Sequence, residues 1–317
     1  MRNKSEITVQ KTIKYLALTC ITTLSCIGLQ KFCRSKTDGF AESKIHSDMQ
    51  FHQEFQTSTL SVDEIQKIDT ILSQPFYYLG KGVQCYAFVS KDEKYVIKFL
   101  RLDRLCPSIL YSQIALPSFL KKIRDERVDR KFGELSRDFI SYKIAYDLLK
   151  NYTGLEYIQL NKNGPINKKI TLYDKINVLH EIDLKPLQFL IQKKADLFYV
   201  GMQKMLDRGD KDKARSLITQ LVEYLCLRSS MGFYDKDPDI NTNFGIQDDV
   251  IMQIDVGRFR HDITRMDPQI YINDVIRITD NFQQWLEARD KGLSDHLLSE
   301  IERIKLSKLK NNEDKDC

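Results

Sequence analysis

The alternation of apolar and polar positions changes character several times along the chain, and each change marks an element. An uncharged run comes first, Tyr15 to Leu29, with Lys11 and Lys14 before it and Lys31, Arg34 and Lys36 after it. As a helix rising about 1.5 Å per residue it reaches about 22 Å, less than the about 30 Å of a hydrocarbon core. It therefore predicts a short anchor aided by snorkelling lysines, or the apolar core of an export signal. Residues 37 to about 60 show no sustained period and, with Asp38-Gly39 and many Ser, Thr and Gln, read as a linker. A short helix is expected over Val62 to Leu72.

From Phe76 the period becomes two. Phe76–Leu79, Tyr86–Val89 and Tyr95–Leu100, the last two separated by a turn at Lys91 to Lys94, predict a three-stranded meander. Leu135, Phe139, Tyr142, Tyr146 and Leu149 then recur at helical spacing, and Thr153-Gly154 stops that helix before a strand at Leu155 to Leu160 and a turn at Asn161 to Asn167. Two further extended runs follow, Ile170 to His180 and Leu187 to Gln192, after which strand character is expected to end. The rest reads as helices: Leu197 to Leu206, a face carrying Ala214, Leu217, Ile218, Leu221, Leu225 and Arg228, then Asp274 to Arg289 and Ser294 to Leu309. Sheet first and helices second predict an α+β chain in two lobes with a cleft between them. The expected divisions are 1–36 (apolar segment), 37–73 (linker with a short helix), 74–192 (sheet lobe) and 193–317 (helical lobe).

Composition narrows the function classes. Over 317 residues, 42% hydrophobic and 29% charged with only 13 Gly and 7 Pro exclude collagen, low-complexity disorder and a polytopic membrane protein. Lys and Arg number 49 against 44 Asp and Glu, an excess too thin and too interspersed for a nucleic-acid groove, so no nucleic-acid partner is expected. The seven cysteines, at 20, 26, 33, 85, 106, 226 and 317, form no C-x-x-C pair and read as reduced thiols.

Three clusters could carry chemistry. Leu79-Gly80-Lys81-Gly82-Val83-Gln84-Cys85 sets two glycines at a strand-to-strand turn, either a tight hairpin or a loop whose amides approach phosphate oxygens. Lys98 stands inside the apolar run Val96-Ile97-Lys98-Phe99, either solvated or aimed at phosphates and held by a carboxylate such as Glu134 or Asp138. Asp235, Asp237, Asp239, Asn241 and Asn243 crowd the loop after the amphipathic helix, either a capped turn or an oxygen-ligand site for a hard cation, and Ile254-Asp255-Val256-Gly257 follows.

Taken in order, glycine hairpin, strand lysine, helix with an acid, strands, connector, helices, acidic loop with Asn243 and then Asp-x-Gly, the chain from about residue 74 resembles the protein-kinase-like fold. That resemblance implies a two-lobed α+β architecture with an N-terminal antiparallel sheet lobe and a C-terminal helical lobe. It further implies Gly80 and Gly82 in a phosphate-covering loop and Lys98 as the phosphate-anchoring lysine. Gln192, Lys193 and Lys194 would form a hinge holding adenine, Asn243 and Asp255 would hold Mg²⁺, and Asp237 would be the catalytic base, with ATP as cofactor. The acceptor would be a hydroxyl of a protein or small molecule.

The departures are specific. The family's catalytic Asp stands five residues before its Asn, a position occupied here by Pro238; Asp237 is six before and Asp239 four before. The third loop glycine is Cys85, no Ala-Pro-Glu follows Asp255, and only 62 residues remain after it. The shortness is similar to the aminoglycoside-phosphotransferase side of the superfamily or to atypical bacterial kinase-like proteins. The departures leave a second expectation, a catalytically inactive pseudokinase serving as a membrane-associated protein-binding module. The apolar segment places the domain at a membrane facing the cytoplasm, or outside the cell if the segment is a cleaved signal.

Overall fold

The computed structural model describes residues 4–47, 49–102 and 114–313. Cys106 and Cys317 lie outside them; the cysteines within form no disulfide, with Cys20, Cys26 and Cys33 exposed and Cys226 buried.

Helix α1 runs without a break over Lys4–Lys36. Its stretch Ile13–Lys36, 24 residues with none buried, is long and apolar enough to cross a membrane by length and composition. At about 1.5 Å per residue it reaches about 36 Å, which corrects the short reach expected from the uncharged run alone. Lys31, Arg34 and Lys36 continue the helix, and their aliphatic stems extend the apolar surface.

The stretch read as a linker is packed. Asp38 (φ 51°) and Gly39 (φ 73°) adopt left-handed backbone and fold the chain back past the end of α1. Phe40 and Ile45 then enter the apolar cluster on one face of the sheet, while Met49 and Phe55 enter the cluster on the other. Sparse apolar residues without a period give no helix or strand signal, yet all four are buried. Helix α2 (Val62–Ile71) follows, closed by a capping box in which Ser61 Oγ accepts from the Glu64 N–H (3.2 Å) and Glu64 accepts from the Ser61 N–H (2.9 Å).

Strands β1 (Phe76–Lys81), β2 (Cys85–Ser90) and β3 (Tyr95–Leu100) form the expected meander. Helix α3 (Ser118–Leu148) buries Leu135, Phe139, Tyr142 and Tyr146, the positions picked out by helical spacing, and the single turn α4 (Lys150–Thr153) ends at Gly154. Gly154 has φ +60°, and a Cβ there would meet Met252 Sδ at 2.4 Å, so both backbone and space require glycine. Strands β4 (Leu155–Gln159), β5 (Lys169–Tyr173), β6 (Leu179–Asp183) and β7 (Phe189–Lys193) complete a seven-stranded sheet ordered β4-β7-β3-β2-β1-β5-β6. All neighbours are antiparallel except β1 and β5.

The run Ile170 to His180 is therefore a hairpin, not one extended segment. Asp174 Oδ1 accepts the N–H groups of Ile176 (3.0 Å) and Val178 (2.8 Å), and Asn177 turns at φ 61°. One short acid among apolar residues made the turn, a local bond that hydropathy does not register.

The expectation that strand character ends at Gln192 is also corrected. Beyond β7 come β8 (Asp196–Leu197), helices α5 (Phe198–Arg208) and α6 (Lys211–Ser230), β9 (Phe233–Asp235), the turn α7 (Ile240–Asn243), β10 (Phe244–Gln247), β11 (Val250–Gln253) and β12 (Phe259–His261). Helices α8 (Pro268–Glu287) and α9 (Lys291–Glu313) close the helical region. The small strands β8, β10 and β11 form a three-stranded sheet and β9 pairs with β12, framing the acidic loop. Each is too short to show a period of two.

Candidate functional site

The period of two in β3 decides where Lys98 points. Ile97 and Phe99 enter the apolar cluster on one face, so Lys98 faces the other, directly across from Ala87 on β2 and Leu190 on β7. Its ammonium donates to the Ile254 carbonyl at 2.5 Å, one residue before Asp255. Sheet lobe and Asp-x-Gly segment thus meet across a cavity of about 350 Å³. Lys98, Asp237, Asn243 and Asp255 all line it, together with Gly82 and Gln84 from the glycine hairpin and Arg258.

The acidic loop is built to present two of these groups. Asp239 Oδ1 accepts from the Asn241 N–H (3.0 Å), capping α7, and its other oxygen accepts from the Thr242 hydroxyl (2.7 Å). That capping role separates Asp239 from Asp237, whose carboxylate is exposed in the cavity and ion-paired with Arg258 at 3.2 Å. Asn243, nearly buried, donates its amide to the Asp237 carbonyl, while its own carbonyl accepts from the Ile254 (2.8 Å) and Asp255 (3.3 Å) N–H groups. Asn243 therefore ties the Asp237 loop to the Asp255 segment.

A buried polar network stiffens this arrangement from below. Gln253 Oε1 accepts from Tyr224 and from Arg228, both at 2.8 Å, and its amide donates to Asp235 Oδ2 at 2.6 Å. Asp235 Oδ1 accepts from the Asp237 N–H at 2.9 Å, so the network ends on the backbone of the exposed acid. Burial raises the Asp235 carboxyl above its ordinary range, with Arg228 pulling the other way. Sequence reasoning missed Gln253, Tyr224 and the role of Arg228, which read as one more residue of an amphipathic face.

Over the cavity, Gln84 closes the hairpin onto helix α3. Its amide donates to Asp138 Oδ2 (2.8 Å) and its carbonyl accepts from the Tyr142 hydroxyl (3.0 Å). A Cβ on Gly257 would meet Gln84 Oε1 at 2.1 Å, so glycine in the Asp-x-Gly segment makes room for this contact. Neither acid weighed as a partner of Lys98 takes it: Asp138 is held by Gln84 and Arg260 (3.4 Å), and Glu134 is exposed. Burial raises the Asp138 carboxyl against the pull of Arg260. Cys85 also lines the cavity, its thiol pushed up to about 11 by burial and hence neutral near pH 7.

The remaining expected residues lie apart. Gly80 belongs to β1 and is not among the cavity's lining residues, whereas Gly82 is. Gln192, Lys193 and Lys194 do not line the cavity either. The Gln192 side chain is buried, donating to Thr153 O (2.6 Å); the Lys193 N–H donates to Gly154 O and the Lys194 N–H to Lys94 O, both at 2.8 Å. Two N–H groups of the hinge that the resemblance implies are thus engaged by protein. Arg258, by contrast, had no sequence signal beyond following Gly257.

A seven-stranded sheet, a helical region and a cavity lined by Lys98, Asn243 and Asp255 make this a mixed α+β fold. No protein-family model matches the sequence, and no curated protein does at a significant level. Among solved structures it is similar to WbdD, described as a bifunctional kinase-methyltransferase, with 14% identity, a TM-score of 0.35, and coverage of 72% of this chain and 45% of that one. It is similar also to Rv3197 of Mycobacterium tuberculosis, solved with erythromycin, with 12% identity, a TM-score of 0.27, and coverage of 88% and 75%. The match spans less than half the length of the WbdD chain.

Proposed function

We propose that the chain is an atypical ATP- and Mg²⁺-dependent phosphotransferase acting on a hydroxyl of a protein or small molecule, held at a membrane by α1. The observation that carries this reading is the convergence of Lys98, of Asp237 and Asn243 on the acidic loop, and of Asp255, from three separate stretches of sequence, on one cavity of about 350 Å³. Magnesium takes one or two carboxylates and completes its shell with water and phosphate oxygens. The Asp255 carboxylate and the Asn243 amide oxygen are a hard-oxygen set of that kind, and among the described residues no group of three His, Cys, Asp or Glu competes with it. When bound, the ion would neutralise charge on the phosphates.

The chain's own groups then have distinct tasks. Lys98 orients the phosphates from the sheet side, and Gly82 covers them without a side chain in the way. The acceptor hydroxyl attacks the γ-phosphorus as the bond to the β,γ-bridging oxygen breaks; ADP leaves and Asp237 takes the hydroxyl proton. Arg258, 3.2 Å from Asp237, orients that carboxylate at the cavity.

A specific observation favours the second reading, a nucleotide-free protein-binding module: the Lys193 and Lys194 amides are already bonded within the protein. The discriminating experiment is thermal unfolding of the full chain in detergent with and without ATP and Mg²⁺, because a ligand of the folded state raises its stability by about 2.7 kcal/mol at a hundredfold excess over Kd. A magnesium-dependent rise lost in Lys98→Ala and Asp255→Ala supports the phosphotransferase; no rise leaves the binding module.

A further inference from the structure

The end of α1 is bolted to the sheet lobe. Two residues beyond the helix, Asp38 accepts from the Tyr78 hydroxyl (2.8 Å) and pairs with Lys175 (3.0 Å) through its carboxylate, and its carbonyl accepts from Lys81 Nζ (2.8 Å). The Gly39 carbonyl accepts from the Tyr86 hydroxyl (2.8 Å), and Phe40 packs edge-on against Tyr86, Phe88 and His180. The partners come from β1, β2 and the β5–β6 hairpin, so no slack separates the apolar helix from the strand that carries the glycine hairpin.

Around this junction the lobe exposes apolar side chains. Leu79 at the end of β1 and Ile176, Val178 and Leu179 of the β5–β6 hairpin are 51%, 51%, 47% and 52% exposed. Lys81 and Lys175, which hold Asp38, stand among them, with Arg34 and Lys36 in the last turn of α1. Aliphatic side chains edged by lysines are the composition of a surface that seats in the boundary between headgroups and acyl chains, about 5–10 Å deep.

We infer that the β1 and β5–β6 edge of the sheet lobe docks into the headgroup layer of the bilayer that α1 enters, fixing the cleft at the membrane surface. The inference rests on α1 being a retained anchor, as proposed above. Connectivity selects the occupant: a helix that enters a bilayer two residues before Asp38 brings Ile176 and Leu79 to the headgroup level, where a soluble partner would compete with lipid. The lysines add attraction to anionic lipid.

Single-tryptophan depth measurements test this on the full chain in vesicles of phosphatidylcholine with phosphatidylglycerol brominated high on the acyl chains. In a Trp285→Phe background, Ile21→Trp reports the anchor, Ile176→Trp the docking edge, and Ile276→Trp an exposed position on α8 in the helical lobe; thermal unfolding checks that each variant folds. The expected result is loss of emission for Ile21→Trp and Ile176→Trp and none for Ile276→Trp. Quenching of Ile21→Trp with Ile176→Trp as bright as the α8 control overturns the docking while keeping the anchor. An unquenched Ile21→Trp overturns both.

Discussion

The two ends of the cleft are built to opposite plans. At one end, side chains from both lobes turn polar groups into an open cavity: Lys98, Asp237, Asn243, Asp255 and Arg258. At the other, Gln192 is buried, and the amides of Lys193 and Lys194 are bonded to Gly154 and Lys94. The groups at the open end line the cavity even though Lys98 is bonded to the Ile254 carbonyl and Asp237 to Arg258, whereas the Lys193 and Lys194 amides are both bonded and outside its lining. If the proposed function holds, the contrast favours recognition of a phosphate chain and a cation over a nucleobase.

The largest expected effect lies at the open end. Asp237→Asn should lower phosphotransfer by about 10²–10⁴-fold, the usual worth of a general base, and leave the magnesium-dependent stabilisation by ATP in place. If transfer survives, the exposed acid is not the base, and the open end catalyses transfer without it. Next, Arg228→Ala removes the buried cation under the acidic loop and should destabilise the fold by about 3–5 kcal/mol, read by denaturant unfolding. A loss below 1 kcal/mol would mean that the loop is not held by the network beneath it.

A smaller effect sharpens the comparison itself. Inorganic tripolyphosphate with Mg²⁺ should bind within about tenfold of ATP, about 1.4 kcal/mol, and adenosine alone should not stabilise the protein. Stabilisation by adenosine would show that the shut end opens. The smallest effect is a pH dependence. Burial raises Asp138 in the folded state, so that state holds its proton more tightly than the unfolded chain does, and stability falls as pH rises from the ordinary value of 3.8 through the raised one. Asp138→Asn should flatten this slope in thermal melts between pH 3 and 7; an unchanged slope would assign it to other groups.

Much of the sheet was readable because β2 alternates strictly and β3 is a short apolar run bounded by a turn, while the side of the sheet that Lys98 faces was left open until β3 was seen to send Ile97 and Phe99 into the opposite cluster. Helix α3 was readable from Leu135, Phe139, Tyr142 and Tyr146, which are the residues it buries. The strap over residues 37–60 was not, because Phe40 and Ile45 go to the cluster on one face of the sheet and Met49 and Phe55 to the cluster on the other, with no regular period. Order along the chain singled out Lys98, Asn243 and Asp255, which line one cavity. What order does not contain is how polar groups spend their bonds: nothing in Gln192-Lys193-Lys194 says that its amides are taken, and nothing before folding sets Arg258 beside Asp237.

The strap leaves helix α3 little liberty. Phe55 meets Phe139 at 5.0 Å between ring centroids, His52 lies 5.0 Å from Phe132, and Lys143 donates to the Glu54 carbonyl at 3.2 Å. On the same segment, His52 exchanges two hydrogen bonds with Asn161 beyond β4, at 3.0 and 2.9 Å. Rotating α3 away from the sheet, and with it the Asp138 and Tyr142 contacts to Gln84, would first require peeling off a fully buried phenylalanine, a cost of about 1.5–3 kcal/mol. A regulator of this protein would therefore gain more by prising up the strap than by pushing on the helix, and the segment before Val62 becomes the handle by which the cleft could be unlatched.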